Sequence, residues 1–193
     1  MKRKIFFITG SKHKFEELKE FISDSIDIEM LSIDLPEIQE NDAKKIISEK
    51  LRKAKILYPE KELIVEDTSL YLDCLNGFPG PLIKWFSKSL GYQKIYDICN
   101  KFGNFDASAV CNIGYSHQGK IEFFEGRLKG TIVPPEKSNG FGWDLIFVPE
   151  NLNIRYSEMS KEDKNKISHR ARAAKTFMAH LEKQLQRAKE KSA

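Results

Sequence analysis

Apolar residues along the chain recur with two periods, and the switches between them lay out alternating strands and helices. A short apolar run predicts a first strand over residues 5–9. Ser11 can then cap a helix, because Phe15, Leu18 and Ile22 follow at helical spacing. Residues 28–33 predict a second strand, broken by Leu35-Pro36-Glu37. Ala43, Ile47, Leu51 and Ala54 form the apolar stripe of an amphipathic helix, and residues 62–66 read as a third strand. Asn76-Gly77-Phe78-Pro79-Gly80-Pro81 is a turn or loop, followed by helices over 82–89 and 93–102. Residues 107–115 and 120–128 predict two longer strands joined as a hairpin by Ser116-His117-Gln118-Gly119. Pro134-Pro135 opens a loop to Gly142, residues 144–148 predict a strand, and Ser160 or Lys161 starts a short acidic-then-basic turn. Ala174, Phe177 or Met178, Leu181 and Leu185 mark a terminal helix. Early alternation with a hairpin in the middle argues an α/β fold with a mixed sheet.

Composition narrows the class. The chain has 193 residues, of which 40% are hydrophobic and 31% charged, enough apolar material for a core. The length suits one domain over 1–186, with a basic tail over 187–193. No stretch approaches the roughly 20 apolar residues of a membrane helix, so no membrane partner is expected. The basic start precedes an apolar run of only four residues, too short for a secretion signal. Cys74, Cys99 and Cys111 are odd in number and lack metal-ligand spacing, which suits reduced thiols and a cytoplasmic location.

The net charge of +4 is unevenly placed: ten basic and four acidic residues lie between Lys161 and Ala193. A solvated helix face with a basic tail accounts for much of this. A nucleic acid or a small polyanion such as a triphosphate is the other reading.

Helices favour acids in the first turn, where the dipole is positive. Two predicted helices open the opposite way, with Gly10-Ser11-Lys12-His13-Lys14 and Ser168-His169-Arg170-Ala171-Arg172. A bound phosphate would relieve that repulsion and use the free backbone N–H groups. Lys14, one turn in, is the better phosphate ligand, and Lys12 and His13 face solvent. No Walker motif is present, which argues against a P-loop enzyme.

Val65-Glu66-Asp67-Thr68 ends a predicted strand with two acids facing opposite ways. Glu37 follows a separate strand, and two carboxylates from different strand ends can share a Mg²⁺ ion with substrate phosphates. Solvated acids are the plainer alternative. In Asn139-Gly140-Phe141-Gly142-Trp143-Asp144, alternation would put Phe141 and Trp143 on one side, as a stacking clamp for a flat heterocycle or as core packing. Asp144 could accept from a ring N–H.

These motifs, in this order, together with Gly77-Phe78-Pro79-Gly80-Pro81-Leu82-Ile83-Lys84-Trp85-Phe86, resemble the inosine triphosphate pyrophosphatase family, in its eukaryotic-like form. The resemblance implies an elongated mixed sheet with flanking helices, in two lobes around a nucleotide-binding cleft. It implies cleavage of noncanonical purine nucleoside triphosphates (ITP, dITP, XTP) between the α and β phosphates. Carried over by position, Thr9, Gly10, Ser11, Lys14, Lys50, Thr68 and Lys84 would meet the triphosphate. Glu37 and Asp67 would hold Mg²⁺, or Mn²⁺, with Asp67 also orienting or deprotonating the attacking water. Phe141, Gly142 and Trp143 would frame the base, and Asp144, Lys164, His169 and Arg170 would meet its polar edge. The family's partner is a small-molecule nucleotide and its usual state a homodimer, without nucleic acid. Ser11 departs from the family's Asn: it keeps a short hydrogen-bonding side chain and loses the amide donors. Two other readings stand beside this one: a Maf-type pyrophosphatase of modified nucleotides, and a non-catalytic nucleotide- or RNA-binding module.

Overall fold

Two glycines set how closely helices lie on the sheet. At Gly114 a Cβ would sit 2.1 Å from Ile47 Cγ2, and at Gly126 it would sit 2.0 Å from the His169 carbonyl oxygen. Each lets a helix lie on a strand where any side chain would hold it off, through α2 side chains at Gly114 and the α6 backbone at Gly126. The computed structural model describes residues 2–136 and 142–190. Among them are seven strands, β1 (Arg3–Ile8), β2 (Ile26–Leu31), β3 (Glu62–Leu72), β4 (Pro79–Gly80), β5 (Asp106–His117), β6 (Lys120–Ile132) and β7 (Phe147–Pro149). The helices are α1 (Lys12–Lys19), α2 (Ala43–Leu57), α3 (Ile83–Leu90), α4 (Tyr92–Phe102), α5 (Lys161–Ile167) and α6 (His169–Glu190).

All seven strands form one mixed sheet in the order β2-β1-β3-β5-β6-β7, with β4 paired to β3 off that path. β1 is parallel to β2 and β3, while the β3–β5, β5–β6 and β6–β7 pairs are antiparallel. The expected α/β class with a mixed sheet is therefore what the chain adopts.

The local chemistry behind the helices is direct. Ser11 caps α1 by accepting from the Lys14 N–H at 3.3 Å, and Asp42 caps α2 by accepting from the Lys44 N–H at 2.9 Å. Gly103 ends α4 in the left-handed region, at φ 64°. The stripe Ala43, Ile47, Leu51 and Ala54 is buried, as its spacing predicts. In α6, Ala174, Phe177, Met178 and Leu181 are buried against β5 and β6 residues such as Tyr115 and Phe124, while Leu185 is half-buried. The hairpin turns on Gln118 and Gly119, both at positive φ, a two-residue turn whose twist suits the flanking strands.

Three expectations differ from the structure. β3 does not stop at Glu66 but continues through Asp67, Thr68 and Ser69 to Leu72. Those polar residues resemble a strand end in the sequence, yet β5 supplies ladder partners along the whole length. Residues 142–146 form a 3₁₀ turn rather than the start of a strand, and β7 is confined to Phe147–Pro149. The second strand lies two residues earlier than expected, at Ile26–Leu31. α6 itself runs to Glu190.

Candidate active site

The site begins where β1 and β2 stop and β3 continues. β1 ends at Ile8, opposite Val65, and β2 ends at Leu31, opposite Ile8. β3 runs on past Val65, so Glu66, Asp67 and Thr68 lie at the carboxyl ends of β1 and β2, where open α/β sheets bind ligands. Thr9 and Gly10 leave β1 there and lead into α1. The Ser11 N–H donates to Thr9 Oγ1 at 3.1 Å, which fixes the turn.

Side-chain alternation divides β3 into two faces. On one, Glu66 is buried and accepts from Arg170 Nε at 2.8 Å and Nη2 at 2.9 Å, a two-pronged pair. Lys14 Nζ approaches the same carboxylate at 3.2 Å. Thr68 donates to Glu66 at 2.8 Å and lies within reach of Lys14 and Arg170. Glu17 on α1 pairs with Arg170 as well. Burial by itself would raise the Glu66 carboxyl, but Arg170 and Lys14 beside it hold it well below the usual carboxylate range. Burial would lower the Arg170 guanidinium, and Glu66 raises it instead. The basic opening of α6 is thus balanced within the protein by Glu66 and Glu17.

On the other face, Asp67 is half-buried and accepts from the Ser69 hydroxyl at 2.9 Å. Burial pushes its carboxyl up, against the pull of Lys14 and Ser69, and the Glu37 charge pushes it further up. Lys50 on α2 pairs with Glu37, and its charge also reaches Asp67. Glu37 and Lys50, paired with each other, therefore both lie close enough to Asp67 for their charges to act on it.

A third group is aromatic. Gly142, at φ 64°, opens the 3₁₀ turn that carries Trp143. Trp143 lies nearly parallel to Tyr156 with centroids 6.2 Å apart, edge-on to Phe147 at 5.5 Å, and 5.6 Å from the His169 ring. Lys164 Nζ donates to Asp144 at 2.9 Å and sits 4.5 Å over the Tyr156 ring. Burial pushes the Asp144 carboxyl up, and Lys164 opposes it. His169 is buried with no hydrogen-bond partner at either ring nitrogen among the described residues. Burial, with Arg170 next to it, lowers its pKa to about 3, so the ring is neutral. Gly126 makes this placement possible, because α6 begins directly against β6 there.

The expected residues are thus distributed unevenly. Lys14, Thr68 and Arg170 converge on Glu66, Glu37 and Lys50 face Asp67, and Trp143, Asp144, Lys164 and His169 adjoin around Tyr156. Lys84 is exposed on α3, with Nζ 5.4 Å from the ring of its own neighbour Trp85. Phe141 lies outside the described residues. The expectation that Phe141 and Trp143 share a face by strand alternation does not apply, because Trp143 sits in a 3₁₀ turn. Sequence reasoning missed Glu17 and Tyr156. Glu17 stands three residues after Lys14, on the same helix face, and that spacing could have found it. Tyr156 had no such signal.

A family model described as the Ham1 family matches residues 5–180. An inosine triphosphate pyrophosphatase of Schizosaccharomyces pombe is 41% identical over 180 residues, covering 92% of this chain and 95% of that one. One from Saccharomyces cerevisiae is 38% identical over 187 residues, covering 92% and 95%. A Staphylococcus aureus Ham1 protein structure superposes with a TM-score of 0.81 at 25% identity, covering 94% of this chain and all of that one. A Coxiella burnetii HAM1 structure, 22% identical with a TM-score of 0.79 over 94% and 99% of the two chains, shares the fold. With a model match across most of its length and yeast relatives near 40% identity, the chain belongs to the Ham1 family of inosine triphosphate pyrophosphatases.

Proposed function

We propose that this protein hydrolyses noncanonical purine nucleoside triphosphates (ITP, dITP and XTP) to the nucleoside monophosphate and pyrophosphate. The observation that carries the reading is Asp67, a half-buried carboxylate facing Glu37 and Lys50 at the strand ends, while its neighbour Glu66 is closed in ion pairs. Two hard oxygen donors, Glu37 and Asp67, fit a Mg²⁺ or Mn²⁺ ion whose other ligands are water and phosphate. Glu37 and Asp67 would hold that ion, which when bound neutralises phosphate charge.

The chain's own residues supply the rest. Lys14 and Lys50, with Lys84, carry positive charge toward the triphosphate, and the Thr9-Gly10-Ser11 turn offers it the N–H groups at the start of α1. Asp67 orients the attacking water and takes its proton. Oxygen bonds to phosphorus as the bridging bond between the α and β phosphates breaks, and pyrophosphate leaves. A carboxylate whose pKa is raised is the stronger base.

Trp143 stacks on the base. A neutral His169 offers one N–H donor and one acceptor, which suits a 6-keto purine, and Arg170, Asp144 and Lys164 border the same edge. Adenine presents a donor where hypoxanthine presents an acceptor, and mismatches of that kind discriminate strongly.

The test is steady-state hydrolysis of inosine, xanthosine, adenosine and guanosine triphosphates with Mg²⁺, scoring pyrophosphate separately from phosphate. Pyrophosphate from the first two alone is expected. Release of single phosphate would move the cut to the terminal bond and overturn the mechanism.

A further inference from the structure

Asn112 lies in the middle of β5, directly opposite Asp67 in β3 on one side and Glu125 in β6 on the other. Opposed residues of an antiparallel ladder share a face, so the amide stands between two carboxylates on the face that carries Asp67. It is 3% exposed, and its Oδ1 meets no hydrogen-bond donor among the described residues. A buried acceptor left unpaired is destabilising, a cost that leucine, of similar size, would not carry. The next residues of β5 on that face, Val110 and Gly114, are both apolar and buried. Packing by itself therefore gives no reason for an amide here.

The chemistry of the neighbours supplies one. Asn112 Oδ1 and an ionised Asp67 are both acceptors, so neither can satisfy the other. A molecule with two protons to donate satisfies both at once, and water is the smallest such molecule. The reaction proposed above consumes a water at Asp67.

We propose that Asn112 is a positioning residue for the attacking water, an inference that rests on the reading under Proposed function. One O–H of the water donates to Asn112 Oδ1 and the other to Asp67. Asp67 takes its proton as oxygen bonds to phosphorus and the bond to pyrophosphate breaks. Asn112 gains and loses no proton; it keeps the remaining O–H aligned and so aims the oxygen lone pair at phosphorus.

The test compares Asn112→Leu and Asn112→Thr with the unsubstituted protein. It measures kcat and KM for pyrophosphate release from ITP with Mg²⁺, and Tm without nucleotide or metal. In Asn112→Leu, kcat should fall about tenfold or more with KM changed less than about threefold. Its Tm should hold or rise, because an unpaired acceptor has gone. Asn112→Thr, which keeps an acceptor oxygen, should recover part of kcat. A kcat within about twofold of the unsubstituted protein in Asn112→Leu would overturn the inference while leaving the reading of the reaction in place. So would a Tm that falls along with kcat in both variants, which marks a structural role. So would a raised KM at unchanged kcat, which marks a substrate contact. If the unsubstituted protein releases no pyrophosphate from ITP, the reading under Proposed function fails and this inference falls with it.

Discussion

Glu66 and Asp67 are adjacent in sequence, both acidic and both in β3, yet the protein treats them in opposite ways. Glu66 faces α1 and α6, where Arg170 grips it from two directions and Lys14 and Thr68 complete its shell. Its charge is stabilised and its carboxyl is held low. Asp67 faces α2, has one close hydroxyl from Ser69, and shares its space with Glu37 and Lys50. Its carboxyl is pushed up. A fully paired buried acid ties α1, β3 and α6 together, and a partly paired one stays available for chemistry. The division follows from strand alternation, which sends neighbours to different surroundings.

The largest test of that division is Asp67→Asn. The rate of pyrophosphate release should fall about 10³-fold, within the range for loss of a positioned base, while stability is unchanged or slightly raised. Comparing kcat/KM with a urea denaturation curve checks both halves, and a stability loss matching that of the next variant would erase the contrast. Glu66→Gln should do the reverse. It leaves Arg170 buried with Glu17 as its remaining acid partner among the described residues, and should cost about 3 kcal/mol in chemical denaturation.

His169 tests the Glu66 side by pH. Its folded pKa of about 3 lies below the ordinary 6.5, so the unfolded chain takes up a proton first as pH falls. Stability from this group is complete above pH 6.5 and is lost toward pH 3, at a slope approaching about 1.4 kcal/mol per unit. His169→Phe should lose about 2 kcal/mol less stability than the unsubstituted protein between pH 7 and pH 5, measured in urea. An identical pH dependence in both would show that the ring is not held neutral by burial. The smallest effect is expected from Ser69→Ala, which removes one hydroxyl from Asp67. Stability should fall by about 1 kcal/mol and the rate by no more than a few-fold, checked by the same two assays.

Legibility from the sequence varied with the range of the forces involved. Ser11, Phe15 and Leu18 announced α1, and Ile47, Leu51 and Ala54 announced α2, because caps and helical stripes are written within a few residues. The hairpin at Gln118-Gly119 was equally local. The sequence pattern ends the third strand at Glu66, because Asp67, Thr68 and Ser69 are polar and nothing nearby shows that β5 pairs with them. The strand expected over 144–148 was displaced by the 3₁₀ turn at Gly142–Ile146, which packs Trp143 against Tyr156 and His169.

The sequence by itself determined the α/β class, the reduced set of acids and lysines from which a site could be built, and the fact that Glu66 and Asp67 point apart. Those properties depend on residue type and on a period of two or 3.6. Only the tertiary structure decided which of the two acids is closed. Arg170 stands 104 residues from Glu66, and it reaches that carboxylate because Gly126 lets the start of α6 lie directly on β6. Pairing across such a separation depends on how helices seat on the sheet, and that is set by packing rather than by any local pattern.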